Sequence, residues 1–163
     1  MTKYKLIQLT NNNIQTVAAN GFMPLGTVTR KINSPSGACS TFTTNSSFID
    51  SVSINEPGYY KITYSATLTA GAAGTMTVTL VNNSTDVYTV GEEATAAEDI
   101  VDLTLIYVIR IYPNCCASNT NYPAAIQFRL GDTATGITPN PSTANLVIEK
   151  IYWFIRRVVA DGT

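Results

Sequence analysis

Short runs in which apolar and polar residues alternate dominate the chain. In the clearest run, from Tyr59 to Leu68, every second residue is apolar or aromatic, and this period of two is typical of a half-buried β-strand. Similar runs, separated by Gly, Pro, Asn and Ser, occupy residues 27–32, 39–44, 48–54, 75–81, 85–90 and 124–130. No stretch keeps a helical period. The pattern predicts an all-β fold, an antiparallel sandwich or jelly roll of about ten strands.

Two later runs, residues 100–112 and 146–159, are apolar on both faces. In the first, the odd positions are all apolar and the even face still carries Ile106 and Val108. A strand that is apolar on both faces must be covered on both, and no amphipathic helix in the chain can supply the second cover. A second subunit is therefore expected. The predicted interface residues in these runs are Tyr107, Ile109, Ile111, Tyr152, Trp153, Phe154 and Ile155.

Composition narrows the possible chemistry. The chain has no histidine, which excludes a Ser-His-Asp triad, a Cys-His pair and the usual imidazole metal site. We therefore expect a protein without catalytic residues or cofactor. Ten basic residues are scattered along the sequence and the net charge is −1, so no stripe can neutralise a run of phosphates and nucleic acid is not an expected partner.

Two small groups of residues leave alternatives open. The carboxylates of Glu92, Glu93, Glu98 and Asp99 could ligate Ca²⁺, but they lack the spacing of a calcium loop, and a solvated loop is the favoured interpretation. Cys39, Cys115 and Cys116 are either reduced thiols or a bridge from Cys39 to one of the adjacent pair, with one thiol left over. The N-terminal apolar patch is too short for a secretory signal or membrane helix, so no membrane insertion is expected.

Two stretches resemble a known family. Residues 56–64, Glu-Pro-Gly-Tyr-Tyr-Lys-Ile-Thr-Tyr, resemble the globular domains of the C1q and tumour-necrosis-factor-like superfamily, in which a Pro-Gly turn opens an aromatic-rich core strand. Residues 16–28 look like the opening of small bacterial and phage-encoded members, including the C-terminal domains of collagen-like spore-surface glycoproteins. The resemblance implies a ten-stranded jelly roll that assembles as a tight homotrimer.

The resemblance also implies a function. Because the chain has no Gly-X-Y stalk, it looks more like a phage virion component, a head fibre or capsid-decorating protein whose loop tips contact a host surface or glycan. Residues 1–13 are then expected to be the attachment segment to the capsid or other virion proteins, or else an edge strand. Residues 14–159 would form the jelly roll and residues 160–163 a polar tail. The alternatives are a bacterial or spore-surface binding module and, less favoured, a carbohydrate-active enzyme.

Overall fold

The computed structural model describes residues 4–12, 16–34, 40–45, 48–113, 122–131 and 143–152. Within these ranges the chain forms ten β-strands and no helix, which confirms the predicted all-β class and strand number. The strands are β1 (Leu6–Asn11), β2 (Thr27–Ile32), β3 (Phe42–Thr44), β4 (Val52–Ile54), β5 (Gly58–Thr69), β6 (Gly74–Asn82), β7 (Thr85–Ala94), β8 (Ile100–Ile111), β9 (Ala124–Leu130) and β10 (Thr143–Ile151).

The strands form two five-stranded antiparallel sheets. Sheet A has the order β2-β1-β10-β5-β8, and sheet B has the order β3-β4-β9-β6-β7. Most hydrogen-bonded neighbours within a sheet are distant in sequence, as β1 and β10 are. Two antiparallel sheets with such long connections are typical of a jelly roll. Strands β8 and β7 each form one edge of their sheets.

The core lies between the two sheets and follows the alternation in the sequence. In β5, β8 and β9 nearly every second side chain is buried. Aromatic rings from opposite sheets meet there: Tyr64 stacks on Phe128 with ring centroids 4.1 Å apart, and Phe42 meets Tyr60 edge-on at 5.9 Å. Such pairs add about 0.5–1.5 kcal/mol each beyond the area that they bury, so they help to fix how the sheets are aligned.

A two-residue turn closes the hairpin between β6 and β7, which correspond to the alternating runs 75–81 and 85–90. Asn83 and Ser84 occupy the two central turn positions with φ angles of 48° and 65°. A type I′ turn requires positive φ at both positions, and asparagine tolerates this conformation better than most residues. These two residues therefore allow β6 and β7 to pair directly.

The N-terminal region differs from its prediction. Residues 6–11 are neither a free attachment segment nor an edge strand, because β1 is hydrogen-bonded to β10 on one side and to β2 on the other. Leu6, Ile7 and Leu9 are buried. Ile7 and Leu9 belong to the hydrophobic core, so β1 is an inner strand of the jelly roll.

One end of the sandwich is rich in tyrosine. Here β1, β5 and β9 begin and β8 and β10 end, as the strand registers show. Six of the nine tyrosines lie at this tyrosine end: Tyr4, Tyr59, Tyr60, Tyr112, Tyr122 and Tyr152. At the opposite end, the loop of residues 95–99 joins β7 to β8. We call it the loop end.

Candidate interaction surface

Strand β8 exposes apolar side chains along the edge of sheet A. Its odd-numbered residues point into the core, while its even-numbered residues face outward. On that outward face Ile106 is 55% exposed and Val108 is 47% exposed. A long apolar edge strand is a surface that natural proteins cover or blunt. We call Ile106 and Val108 the β8 strip.

The predicted interface residues occupy different positions. Ile109 and Ile111 are buried in the core of their own chain, so they are covered without a second subunit. Tyr107 is half-buried and stacks on Tyr88 of β7 at 5.6 Å. Tyr152 is half-buried at the tyrosine end. The remaining three predicted residues, Trp153, Phe154 and Ile155, lie outside the described residues.

Strand β8 covers only one of its two apolar faces within its own chain. Sequence alternation identified two apolar faces but could not tell which of them the chain covers itself. The odd-numbered face of β8 has six apolar residues and packs against the core. The even-numbered face has fewer apolar residues and stays exposed. Among the described residues, the exposed apolar side chains on the outward face of β8 are therefore the β8 strip and, at the start of the strand, Ile100.

A charged cluster closes the tyrosine end. Lys5 and Lys150 both continue inward-facing positions of β1 and β10, and their ammonium groups form ion pairs with the two carboxylate oxygens of Glu56. Thr41 Oγ1 also donates to Glu56 Oε2, at 2.8 Å. The Tyr60 hydroxyl donates to the Glu56 backbone carbonyl at 2.7 Å. Glu56 thus joins residues before β1 and β3 to β5 and β10, and ties the two sheets together.

The electrostatics of Glu56 follow from these contacts. Partial burial alone would raise its pKa, but hydrogen bonds from Lys150, Lys5 and Thr41 outweigh that effect and lower the pKa to about 2. The carboxylate is therefore ionised at neutral pH and forms ion pairs with both lysines. Sequence analysis missed this cluster because Glu56 lies in a Pro-Gly turn and its partners are 51 and 94 residues away.

At the loop end, the carboxylate of Asp99 stabilises the loop of residues 95–99 through hydrogen bonds. Asp99 Oδ2 accepts hydrogen bonds from the Thr95 hydroxyl at 2.7 Å and from the backbone N–H groups of Thr95 and Ala96 at 2.8 and 2.9 Å. The Thr95 contacts and the Ala96 contact lower the pKa of Asp99. Glu98 has a φ of 68° in the same turn.

These carboxylates do not converge on a metal position. Glu92 and Glu93 are adjacent on β7, so their side chains point to opposite faces of the strand. In the described ranges, Asp, Glu, Cys and His nowhere form a group of three able to hold a metal ion. All three cysteines lie outside the residues that the structure describes. Among the described residues, no helix is long and apolar enough to span a membrane.

Comparison with known proteins identifies the fold. No protein-family model and no curated protein matches this chain. Among solved structures, PRD1 vertex protein P5 matches over 93% of this chain and 100% of its own, with a TM-score of 0.59 and 13% identity. Eiger TNF from S. frugiperda matches over 93% and 94%, with a TM-score of 0.63 and 9% identity. The globular domain of zebrafish complement 1qA protein matches over 92% and 99%, with a TM-score of 0.55 and 9% identity.

The chain therefore has the C1q/TNF-like jelly-roll fold, as the resemblance in residues 56–64 implied. That stretch contains Glu56 and Tyr60 of the charged cluster and the start of β5. At identities of 9–13% the likeness is one of fold.

Proposed function

We propose that this protein is a non-enzymatic structural component of a phage virion, a head fibre or capsid-decorating protein that assembles as a homotrimer. The observation that carries the proposal is the β8 strip. Two large aliphatic side chains on the edge of a twelve-residue strand remain about half exposed in the single chain. A second copy that packs there would cover both the side chains and the strand edge.

Each residue of the β8 strip would contribute a small free energy to association, and these contributions would add over a closed ring. Covering the exposed half of Ile106 and Val108 contributes about 1 kcal/mol each. In a ring with threefold symmetry this contact is repeated three times, and closure makes the contacts cooperative. Tyr107, Tyr152 and residues 153–155 would extend the same surface as predicted interface residues.

A structural role agrees with how the charged groups are used. Glu56 is engaged by two lysines and Asp99 by its own loop, so these two carboxylates serve the fold. The chain has no histidine to act as a general base. The likeness of fold to a phage vertex protein supports a virion position. A host-surface glycan is the proposed external partner.

The test is the mass of the purified protein in native solution, with one substitution on the strip. We expect a trimer for the wild type and a smaller species for Ile106→Asp, because a buried carboxylate without a partner would oppose association. Phe48→Asp is the matched control, since Phe48 is an equally exposed apolar residue, 61%, in the loop before β4. A wild-type monomer would contradict the proposal.

The genes that neighbour this one in the genome test whether the protein is part of a virion. Portal, capsid and tail genes beside this one are the expected result. Spore-coat or cell-wall genes would instead favour a bacterial surface module with the same fold.

A further inference from the structure

A threefold ring needs two different contact surfaces on each chain. In such a ring one patch of each copy packs on another patch of the next copy, because only a twofold axis lets a patch meet itself. The β8 strip belongs to one patch, at the edge where β8 and β7 lie side by side. We call residues 88–92 and 102–108 the β7–β8 edge. The second patch must lie elsewhere on the chain.

The β7–β8 edge contains an acidic cavity. It has a volume of about 510 Å³, and its lining includes the 44% exposed ring of Tyr88 and the carboxylates of Glu92 and Asp102. Thr67 Oγ1 donates to Asp102 Oδ1 at 2.6 Å. Glu92 is exposed and has no ion pair within the described ranges. Two carboxylates beside an aromatic ring are a surface that attracts a cation.

Association over the β8 strip would take these carboxylates out of water. Thr104 lines the cavity and is two residues from Ile106 on the same face of β8, a distance of about 7 Å. A copy that covers Ile106 therefore reaches the cavity as well. Because a carboxylate that loses its hydration without gaining a cationic partner opposes association, the covering copy has to bring a positive charge.

Arg30 on β2 is the side chain that can bring this charge. It is exposed and has no ion pair within the part of the chain that the structure describes. The other described basic residues have neighbours in their own chain: Lys5 and Lys150 pair with Glu56, Arg129 pairs with Asp86, Arg110 stacks on Tyr59 and Tyr112, Lys31 donates to Ser40, and Lys61 lies opposite Glu149.

The register of sheet A places Arg30 level with the β8 strip. One row on the outward face runs across all five strands: Arg30, Gln8, Val147, Thr63 and Ile106. The row spans four strand spacings, about 19 Å. Arg30 and Ile106 thus lie at opposite edges of the sheet and at the same level along the strands. Copies related by rotation about an axis along the strands keep this level, so β2 of one copy can meet the β7–β8 edge of the next.

We infer that Arg30 of one copy inserts its guanidinium into the cavity at the β7–β8 edge of the next copy, where it pairs with Glu92 and Asp102 and packs on the Tyr88 ring. A guanidinium is always charged, binds a carboxylate through two hydrogen bonds and stacks on aromatic faces. The inference rests on the proposed homotrimer and deepens it, because it names the second surface of the contact. Two β7–β8 edges would repel each other, so the contact also sets the head-to-tail direction of the ring.

The experiment exchanges the charges of the contact. Dilution of the purified trimer gives the protein concentration at which half of the chains have dissociated. Arg30→Glu places a carboxylate against Glu92 and Asp102, and Glu92→Arg places one arginine against another. We expect each change to raise this concentration about tenfold or more, because like charges then meet. The double variant Arg30→Glu with Glu92→Arg restores opposite charges and should return to within about threefold of the wild type.

The matched control combines Arg30→Glu with Glu93→Arg. It has the same net charge as the restored variant, but Glu93 lies on the other face of β7, so it should dissociate as Arg30→Glu does. The inference is overturned if Arg30→Glu dissociates like the wild type, if the Glu92 exchange fails to restore the trimer, or if the Glu93 exchange restores it equally well.

The two proposals fail in different ways. A wild-type monomer contradicts the proposed function and this contact together. A wild-type trimer that Ile106→Asp dissociates, but that Arg30→Glu and Glu92→Arg leave unchanged, overturns the Arg30 contact alone.

Discussion

Replacement of Glu56 by glutamine removes one charge from the cluster at the tyrosine end and keeps the shape of the side chain. The folded-state pKa of about 2, against an ordinary value of 4.5, corresponds to an upper limit of about 3.4 kcal/mol. The Glu56 side chain is 34% exposed, so solvent screening reduces that figure. We expect Glu56→Gln to lower the free energy of unfolding at pH 7 by about 1–2 kcal/mol.

The pH dependence has a definite sign. Because folding lowers the pKa of Glu56, its contribution is fully present above the unfolded value of 4.5 and is lost as the pH falls through about 2. The difference in unfolding free energy between wild type and Glu56→Gln should therefore decrease steadily below pH 4.5. Urea unfolding of both proteins at one protein concentration, repeated at pH 7, 4 and 2.5, measures this difference in free energy.

A matched control separates this effect from a general loss of acidic charge. Glu93→Gln removes an exposed carboxylate on β7 and should change stability by less than 0.5 kcal/mol, as is usual for surface positions (about ±0.5). If Glu56→Gln behaves like Glu93→Gln at pH 7, or if its deficit is as large at pH 2.5 as at pH 7, the structural role assigned to the cluster is wrong.

Two further predictions concern the core and a turn. The buried Tyr64 hydroxyl has no hydrogen-bond partner among the described residues, so Tyr64→Phe should raise the unfolding free energy by about 1 kcal/mol, whereas Tyr60→Phe, which breaks the bond to Glu56, should lower it by a similar amount. Thermal unfolding of both variants checks that the two changes in stability have opposite signs. Gly26 has a φ of 80°, and a Cβ there would lie 2.2 Å from the Thr10 carbonyl oxygen. Gly26→Ala should therefore cost more than 1 kcal/mol in urea unfolding, and an unchanged midpoint would contradict the turn geometry.

Local alternation was enough to predict most of the strands. The run in β5 has one buried and one half-buried face, and the period of two in the sequence reports that directly. Strand β1 could not be placed in the same way. Its position between β2 and β10 depends on pairing with residues 144–149, almost at the other end of the chain, and a six-residue run does not show which strands flank it.

The surfaces were harder to predict than the strands. Sequence showed that β8 is apolar on both faces, but only the register with β5 shows that Ile109 and Ile111 face inward and Ile106 outward. The row of Thr10, Asn145, Ser65 and Thr104 on sheet A depends on four strands that the register places side by side. The Glu56 cluster likewise joins residues that are far apart in the chain. Each of these sites is a product of strand order, which alternation does not encode.

The central claim is that the exposed β8 strip is covered by a second and third copy of the chain. Native mass spectrometry of the wild-type protein tests this most directly. The account predicts a species of three times the 17.5 kDa chain mass, which is reduced to smaller species by Ile106→Asp and retained in Phe48→Asp. A soluble wild-type monomer, or a trimer that Ile106→Asp leaves intact, would contradict it.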